Sequence, residues 1–367
     1  MKILINASNL HVGGGVQVAA SFITELFNDS VRDVSIVCSS SVFDNLASNV
    51  NTESFESFDV VDVYGTKKIS SHNKLKFSGF DVCFTVFGPF YSSLDVKKHI
   101  CGFAQPWIAY PNNVVYKKLP LIEYIFNKVK FKIQSIYFKK YDHLIVEQKH
   151  VKDALVNHGY TEETISIVEN CVSSIYDIPS DWLSIDGMIE LDSNRPKLGF
   201  IGRPYIHKNI EILKFVNEIL LSKYGFHCDF FFTFSEVEMK NLGFIDIENF
   251  HSVGSISTNQ CPFFYQSIDA LVFPSLLECF SATPIEAMKM NTTVIASDLP
   301  FVREICREAS FYFDPLDAES IADSIIYAFS RDDLREEKIK MGNHFINVMP
   351  KASDRAKSYL DIIKKLN

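Results

Sequence analysis

The stretch from Asp269 to Ser297 limits what this chain can fold into more than any other. Asp269 to Phe273 is a short apolar run with strand character, stopped by Pro274. Thr283, Pro284, Ile285 and Glu286 then read as a helix start. Thr283 is placed as the cap, Pro284 at the first helical position, and Glu286 as the acid closing a capping box. Thr293 to Ala296 returns as a second apolar strand. Strand, loop, helix and strand in this order imply a parallel sheet with the loop at its carboxyl edge. The loop carries one carboxylate, Glu278, and directs the amides of Phe280, Ser281, Ala282 and Thr283 outward beside a helix N-terminus. Such amides suit a phosphate and carboxylates suit sugar hydroxyls, so a site holding both suits a sugar nucleotide.

Taken singly, Glu286 is an ordinary helix cap and Glu278 an ordinary loop acid. Their pairing changes the reading: two glutamates eight positions apart, with a Pro-Ser strand end before them and an amide-rich turn between. A chain of 367 residues accommodates two domains of ordinary size, each with its own core. A hydrophobic share of 47% with 22% charged residues describes a globular protein, and a net charge of -9 argues against a general nucleic-acid binder. Met1 to Ile5 leads directly into a strand and no run of eighteen apolar residues appears, so neither a signal peptide nor a membrane span is expected. The eight cysteines are scattered without a C-x-x-C pair, and the ten histidines lack metal-ligand spacing. Reduced thiols, a cytoplasmic setting, no metal and no cofactor are the expectations.

Two further loops carry chemistry. Between the strand Lys2–Asn6 and a helical pattern from Val16 to Phe27 lie Gly13, Gly14 and Gly15, which let the backbone approach another molecule closely. The alternative is a flexible turn. The spacing is not G-x-G-x-x-G, and the next strand ends in Ser39 instead of a ribose-holding acid, which disfavours a nicotinamide-binding domain. In the second half, the strand Lys197–Gly202 is followed by Arg203 and Lys208 at a helix start. Two cations there complement a diphosphate and its developing charge, though either alone is also an ordinary surface residue.

These residues resemble the retaining glycosyltransferases of the GT-B type, family 4 in particular. Glu278 and Glu286 match the family's E-x7-E motif, Gly202, Arg203, Lys208 and Asn209 its G-R-x4-K-N signature, and Gly14 to Gln17 its first-loop GGVQ-type motif. The resemblance continues through Val294–Ser297, Pro300–Glu304 and Phe313–Ile321. It implies an α/β fold of two Rossmann-like, doubly wound parallel-sheet domains facing across a cleft. The N-terminal acceptor domain is expected over 1–172, a linker over 173–195, the nucleotide-sugar domain over 196–348, and a C-terminal helix over 349–367 packing back toward the first domain. The resemblance also assigns roles. Glu286 takes ribose hydroxyls, Glu278 those of the donor sugar with help from the Phe280, Ser281 and Ala282 amides, and Arg203 and Lys208 neutralise the diphosphate. Gly14 and Gly15 admit it beneath the first loop, and Ile256 lies where a strand end meets the base. Cys279 and Ser281 stand where the family usually has Gly.

Gln105 takes the place of a His-containing turn in many relatives, and it can hydrogen-bond a hydroxyl but cannot act as a base near neutral pH. Trp107 and Tyr110 are either an acceptor platform or core residues. The segment 117–140 carries seven lysines against Glu123 with apolar residues interleaved, a pattern for an anionic lipid surface or for a solvated helix face. The implied activity is hexosyl or N-acetylhexosaminyl transfer, from a UDP-sugar first and a GDP-sugar second, to a lipid-linked or oligosaccharide acceptor in bacterial surface polysaccharide (O-antigen) synthesis, peripheral on the inner membrane face. A sugar-nucleotide epimerase on the same fold and a non-catalytic nucleotide-sugar-binding partner are the alternatives.

Overall fold

Short apolar runs supply the strands, and several are buried along their whole length, including β1 (Ile3–Ala7) and its neighbour Val34–Cys38. A run buried on both faces needs cover on both faces, which helices between parallel strands provide. The computed structural model describes residues 1–185, 188 and 195–366. The linker expected over 173–195 lies partly outside those described residues.

The chain divides into two compact units: Met1–Asn112, Pro120–Cys171 and Pro350–Asn367 in the first, Asn113–Leu119 and Val172–Met349 in the second. After β1 the first unit continues with α1 (Gly14–Asn28), β2 (Val34–Cys38), α2 (Ser40–Phe43), β3 (Ser57–Val60), α3 (Ser71–Leu75), β4 (Ser78–Thr85), β5 (Asp95–Gly102), α4 (Pro106–Ala109), α5 (Leu121–Phe138), β6 (His143–Val146), α6 (Lys149–Asn157) and β7 (Ile165–Ile167). Among the described residues its strands form one parallel sheet in the order β3-β2-β1-β4-β5-β6-β7. Strand β3 stops at Val60. Beyond it Val61 and Val63 still bond to Cys38 and Ser8 (2.8 and 2.9 Å), but β2 has ended and no ladder can form.

The second unit contains β8 (Lys197–Phe200), α7 (Ile212–Tyr224), β9 (Asp229–Phe232), α8 (Glu236–Leu242), β10 (Phe250–Ser252), α9 (Cys261–Gln266), β11 (Ala270–Phe273), α10 (Ala282–Lys289), β12 (Thr293–Ser297), α11 (Pro300–Cys306), β13 (Phe311–Phe313), α12 (Ala318–Phe329) and α13 (Asp332–Val348). Its parallel sheet runs β10-β9-β8-β11-β12-β13. The last helix, α14 (Ala352–Lys365), belongs to the first unit. Its Ala356, Tyr359, Leu360 and Ile363 enter the core built by β1, β2, β4 and α1, with the Tyr359 ring 5.1 Å from that of Phe22.

Arg355 of α14 is itself buried. Its guanidinium donates to Ser21 Oγ at 2.8 Å and to Asn170 Oδ1, and Asn170 Nδ2 donates to Glu147 Oε1 at 2.6 Å. Burial pushes the Glu147 carboxyl up to about 7, against the opposing pull of Arg355 and Asn170.

Candidate functional site

In the second sheet β8 and β11 are neighbours, but their following connections diverge, one toward β9 and the other toward β12. This is a topological switch point, where the two loops part and leave a crevice outside the carboxyl ends of the strands. The loop after β8 carries Arg203 and Lys208, and the loop after β11 carries Glu278. Gly202 opens the first loop at φ +135°, a conformation glycine adopts freely, and its amide donates to Thr233 Oγ1 at 3.0 Å.

A backbone bond from the Leu276 amide to the His207 carbonyl, 2.7 Å, fastens the two loops together. Beside it the Lys208 ammonium forms an ion pair with Glu278 Oε1, both side chains being largely buried. The same ammonium lies 5.3 Å from the centroid of the Phe273 ring. A buried cation and anion satisfy each other without ligand, and removing either leaves an uncompensated charge. Burial pulls the neighbouring His207 imidazole below its ordinary value, with Glu278 opposing and Lys208 adding to the shift. Asn209 adopts a left-handed conformation, φ 58°, its Nδ2 donating to the Pro315 carbonyl at 2.7 Å and its Oδ1 accepting from Lys118.

Glu286 corrects one local expectation. Helix α10 begins at Ala282 with Ser281 as its cap residue, and no side-chain cap bond forms there. Glu286 therefore sits beyond the first turn and cannot close a capping box. Its carboxylate instead accepts from the Tyr265 hydroxyl at 3.0 Å, and Tyr176 brings a second phenol toward it, with the two rings 6.2 Å apart. Burial raises the Glu286 carboxyl while both phenols lower it. Pro284 is tolerated because amides in the first turn have no intrahelical acceptor. Phe280 and Ile256 pack against the same core as Tyr176, Tyr265 and Ile285. Cys279 and Ser281, where the resembled family has Gly, are both buried.

Arg203 does not join the Lys208–Glu278 pair. Its Nε lies 3.3 Å from Glu238 Oε1 and its Nη1 donates to Ser255 Oγ at 3.3 Å, with more than half of the side chain exposed. The sequence pattern set both cations on one diphosphate, whereas here each has its own carboxylate. Tyr176, Tyr265, His207 and Glu238 were not marked by the sequence. Tyr176 lies in the stretch taken as linker, and an aromatic in a short helix such as α9 gives no sign that its hydroxyl is needed.

The remaining candidates belong to the first unit. Gly13 precedes α1 at φ +77°, while a methyl group at Gly14 meets nothing within 4 Å and at Gly15 only Leu10 and Phe87 at 3.4 Å. Beside this turn is a depression of about 390 Å³, lined by His11, Gln17, Ser41 and Asn45 among others. Gln105 is half-buried before α4, and its carbonyl accepts the Ile108 and Ala109 amides at 3.0 and 3.2 Å. Trp107 lies flat on Phe131, centroids 5.4 Å apart, and the Tyr110 hydroxyl meets the His150 imidazole, so both rings are engaged within the unit. Among the described residues no cluster of three or more His, Cys, Asp or Glu could hold a metal ion.

Two Rossmann-like units, the second with a cation–carboxylate pair and a phenol-bound glutamate at its switch point, define a fold of the GT-B class. Residues 233–345 match the family described as Glycosyl transferases group 1. It is similar to the O-antigen chain mannosyltransferase RfbU of Salmonella typhimurium, 27% identical over 200 residues, which are 51% of this chain and 53% of that protein. The chain thus spans about half the length of that curated relative. It superposes on WaaG, a glycosyltransferase involved in lipopolysaccharide biosynthesis, with a TM-score of 0.70 at 13% identity, covering 99% of each chain. Anabaena HepE in complex with UDP-glucose gives a TM-score of 0.68 at 12% identity, covering 100% of each. At such identities these two likenesses concern the fold alone.

Proposed function

We propose that the protein is a retaining glycosyltransferase. It moves a sugar from a nucleoside diphosphate sugar to a glycan acceptor in bacterial surface polysaccharide synthesis. The observation carrying this reading is the placement of Lys208, Glu278 and Glu286 together on loops and a helix at the switch point of the second sheet. The names of similar proteins, an O-antigen mannosyltransferase and a lipopolysaccharide glycosyltransferase, support the pathway class. UDP, bound as UDP-glucose in the HepE structure, stays the first expectation for the nucleotide, and GDP the second.

In this reading Glu286 accepts the ribose hydroxyls, held in place by Tyr265. Glu278 accepts hydroxyls of the donor sugar, with the amides of Phe280, Ser281 and Ala282 beside it. Lys208, already desolvated, stabilises negative charge as the diphosphate leaves, and Arg203 adds a second cation from the loop's exposed side. Ile256 meets the base, Gly14 and Gly15 close over the phosphates, and Gln105 bonds an acceptor hydroxyl. The acceptor oxygen attacks the anomeric carbon on the face the leaving group departs from. The C–O bond to phosphate breaks with its electron pair on the nucleoside diphosphate, whose oxygen takes the acceptor proton. Trapping of a glycosyl-enzyme would replace this front-face route. The acceptor is lipid-linked, presented at an anionic membrane face met through 117–140.

A thermal-shift panel of UDP, GDP, ADP and TDP on the wild type and on Glu286→Ala tests the site. A ligand at a hundredfold excess over Kd stabilises by about 2.7 kcal/mol. A shift for one nucleotide, lost in the variant, is expected. No shift from any nucleotide in the wild type would remove the proposed donor site.

A further inference from the structure

Helix α5 has two apolar faces, and only one of them meets the protein. Phe131 and Phe138 are its buried residues. At 100° per residue their directions fall together, and Ile122, Ile125, Phe126, Val129, Ile133 and Ile136 fall on the opposite side within an arc of about 100°. None of these six is less than 49% exposed. A surface helix normally turns charged and polar residues outward and its apolar stripe toward the core. Here the outward face is the apolar one. The lysines flank it: Lys128 and Lys132 along one edge, Lys130 along the other, and Lys139 and Lys140 just past the C-terminus, against the single acid Glu123.

The lysines at 117 and 118 are not part of this helix. They lie in the short turn Val114–Lys118 of the second unit, where Lys118 donates to Asn209. The contact surface is therefore α5 itself.

We propose that α5 is a monotopic membrane-insertion helix. It lies in the plane of an anionic bilayer with the Ile122–Ile136 stripe among the acyl chains and the flanking lysines at the headgroups. An in-plane helix with an apolar face between basic flanks has this partition geometry. No helix among the described residues is long and apolar enough to cross a membrane, so α5 lies on the bilayer without spanning it. Charge decides between a membrane and a second copy of the chain as the occupant. Two such helices packed face to face would set lysines against lysines, whereas anionic headgroups complement both flanks. The whole chain carries a net charge of -9, so attraction to an anionic surface has to come from a local basic face like this one. The inference rests on the membrane-face reading given above for this segment. It is independent of the transfer chemistry, because it concerns binding without donor or acceptor.

The test is co-sedimentation of the full chain with vesicles of phosphatidylethanolamine and phosphatidylglycerol at low salt and at about 0.5 M sodium chloride, where surface charge is screened within a few ångströms. Insertion predicts binding that survives the high salt in large part. Ile125→Asp/Val129→Asp/Ile133→Asp should weaken it by about tenfold or more while leaving the melting temperature nearly unchanged, since about half or more of each of these side chains is exposed. Lys130→Glu/Lys132→Glu should reduce binding mainly at low salt. Wild-type binding abolished by high salt would overturn insertion while leaving an electrostatic contact. No vesicle binding at all would overturn the membrane-face reading as well, and the nucleotide thermal shift would be unaffected by either failure. A wild-type dimer that the triple variant converts to monomer, without vesicle binding, would assign the stripe to a second copy and overturn the proposal.

Discussion

Glu286 illustrates how a residue's identity can be legible while its local role is not. The spacing Thr283–Glu286 satisfies a capping box, but only if Thr283 is the cap residue and the helix starts at Pro284. It starts two residues earlier, with Ser281 as its cap residue, and this carries Glu286 past the N-terminus to face α9 and the hydroxyl of Tyr265. The glycine loop divides similarly. Gly13 alone has a positive φ, whereas Gly14 has open space around it. Gly13→Ala should therefore destabilise the first unit by about 1–3 kcal/mol in urea denaturation, the cost of holding a side-chain residue in a positive-φ extended conformation that is essentially glycine's own. Gly14→Ala should change stability by less than about 0.5 kcal/mol, because α1 already includes it. Equal losses from both would show that the whole loop is conformationally constrained.

At the scale of elements, α14 is fixed by a buried polar cluster as well as by its apolar face. Arg355 reaches Asn170 and Ser21, and Asn170 reaches Glu147 at the end of β6. Glu147 holds its proton in the fold up to about pH 7, against an ordinary value of 4.5. Between those values the folded state binds more protons than the unfolded chain, so stability falls as pH rises through this window and levels off above it. The displacement corresponds to about 3 kcal/mol. Glu147→Gln keeps an acceptor for Asn170 and removes the titration. Its melting temperature should exceed the wild type's at pH 8 and converge with it near pH 4.5, as followed by calorimetry. A wild-type advantage at pH 8 would show that an ionised Glu147 stabilises the fold through Arg355.

Over the whole molecule, the two units are each closed by sequence-distant material. The first unit's core includes side chains from α14, and the second gathers Asn113–Leu119 from within the first half. Deleting 350–367 should therefore speed hydrogen exchange in β1, β2 and β4 while leaving β8, β9 and β11 protected. Exchange rising equally in both sheets would show that the units share one cooperative transition.

Much of this architecture was readable in advance, because apolar runs alternating with helical periods can bury themselves only as covered parallel sheets. The paired glutamates and the cation-bearing loop after β8 were visible because their spacing is local. Tyr176 and Tyr265 were not, since a phenol's partner depends on which helix packs where. The same holds for the separation of Arg203 from Lys208, which Glu238 decides by holding the guanidinium apart. The basic, apolar character of α5 was written in its composition. Which of its two apolar faces turned outward was decided only when Phe131 and Phe138 packed inward. The sequence by itself determined the covered parallel strands and the residues offered at their edges, because periodicity and turn chemistry act over neighbouring positions, while the arrangement as two doubly wound sheets was what the family resemblance implied. Tertiary structure alone decided which charges pair and which face stays bare, because those outcomes depend on contacts between residues far apart in the chain.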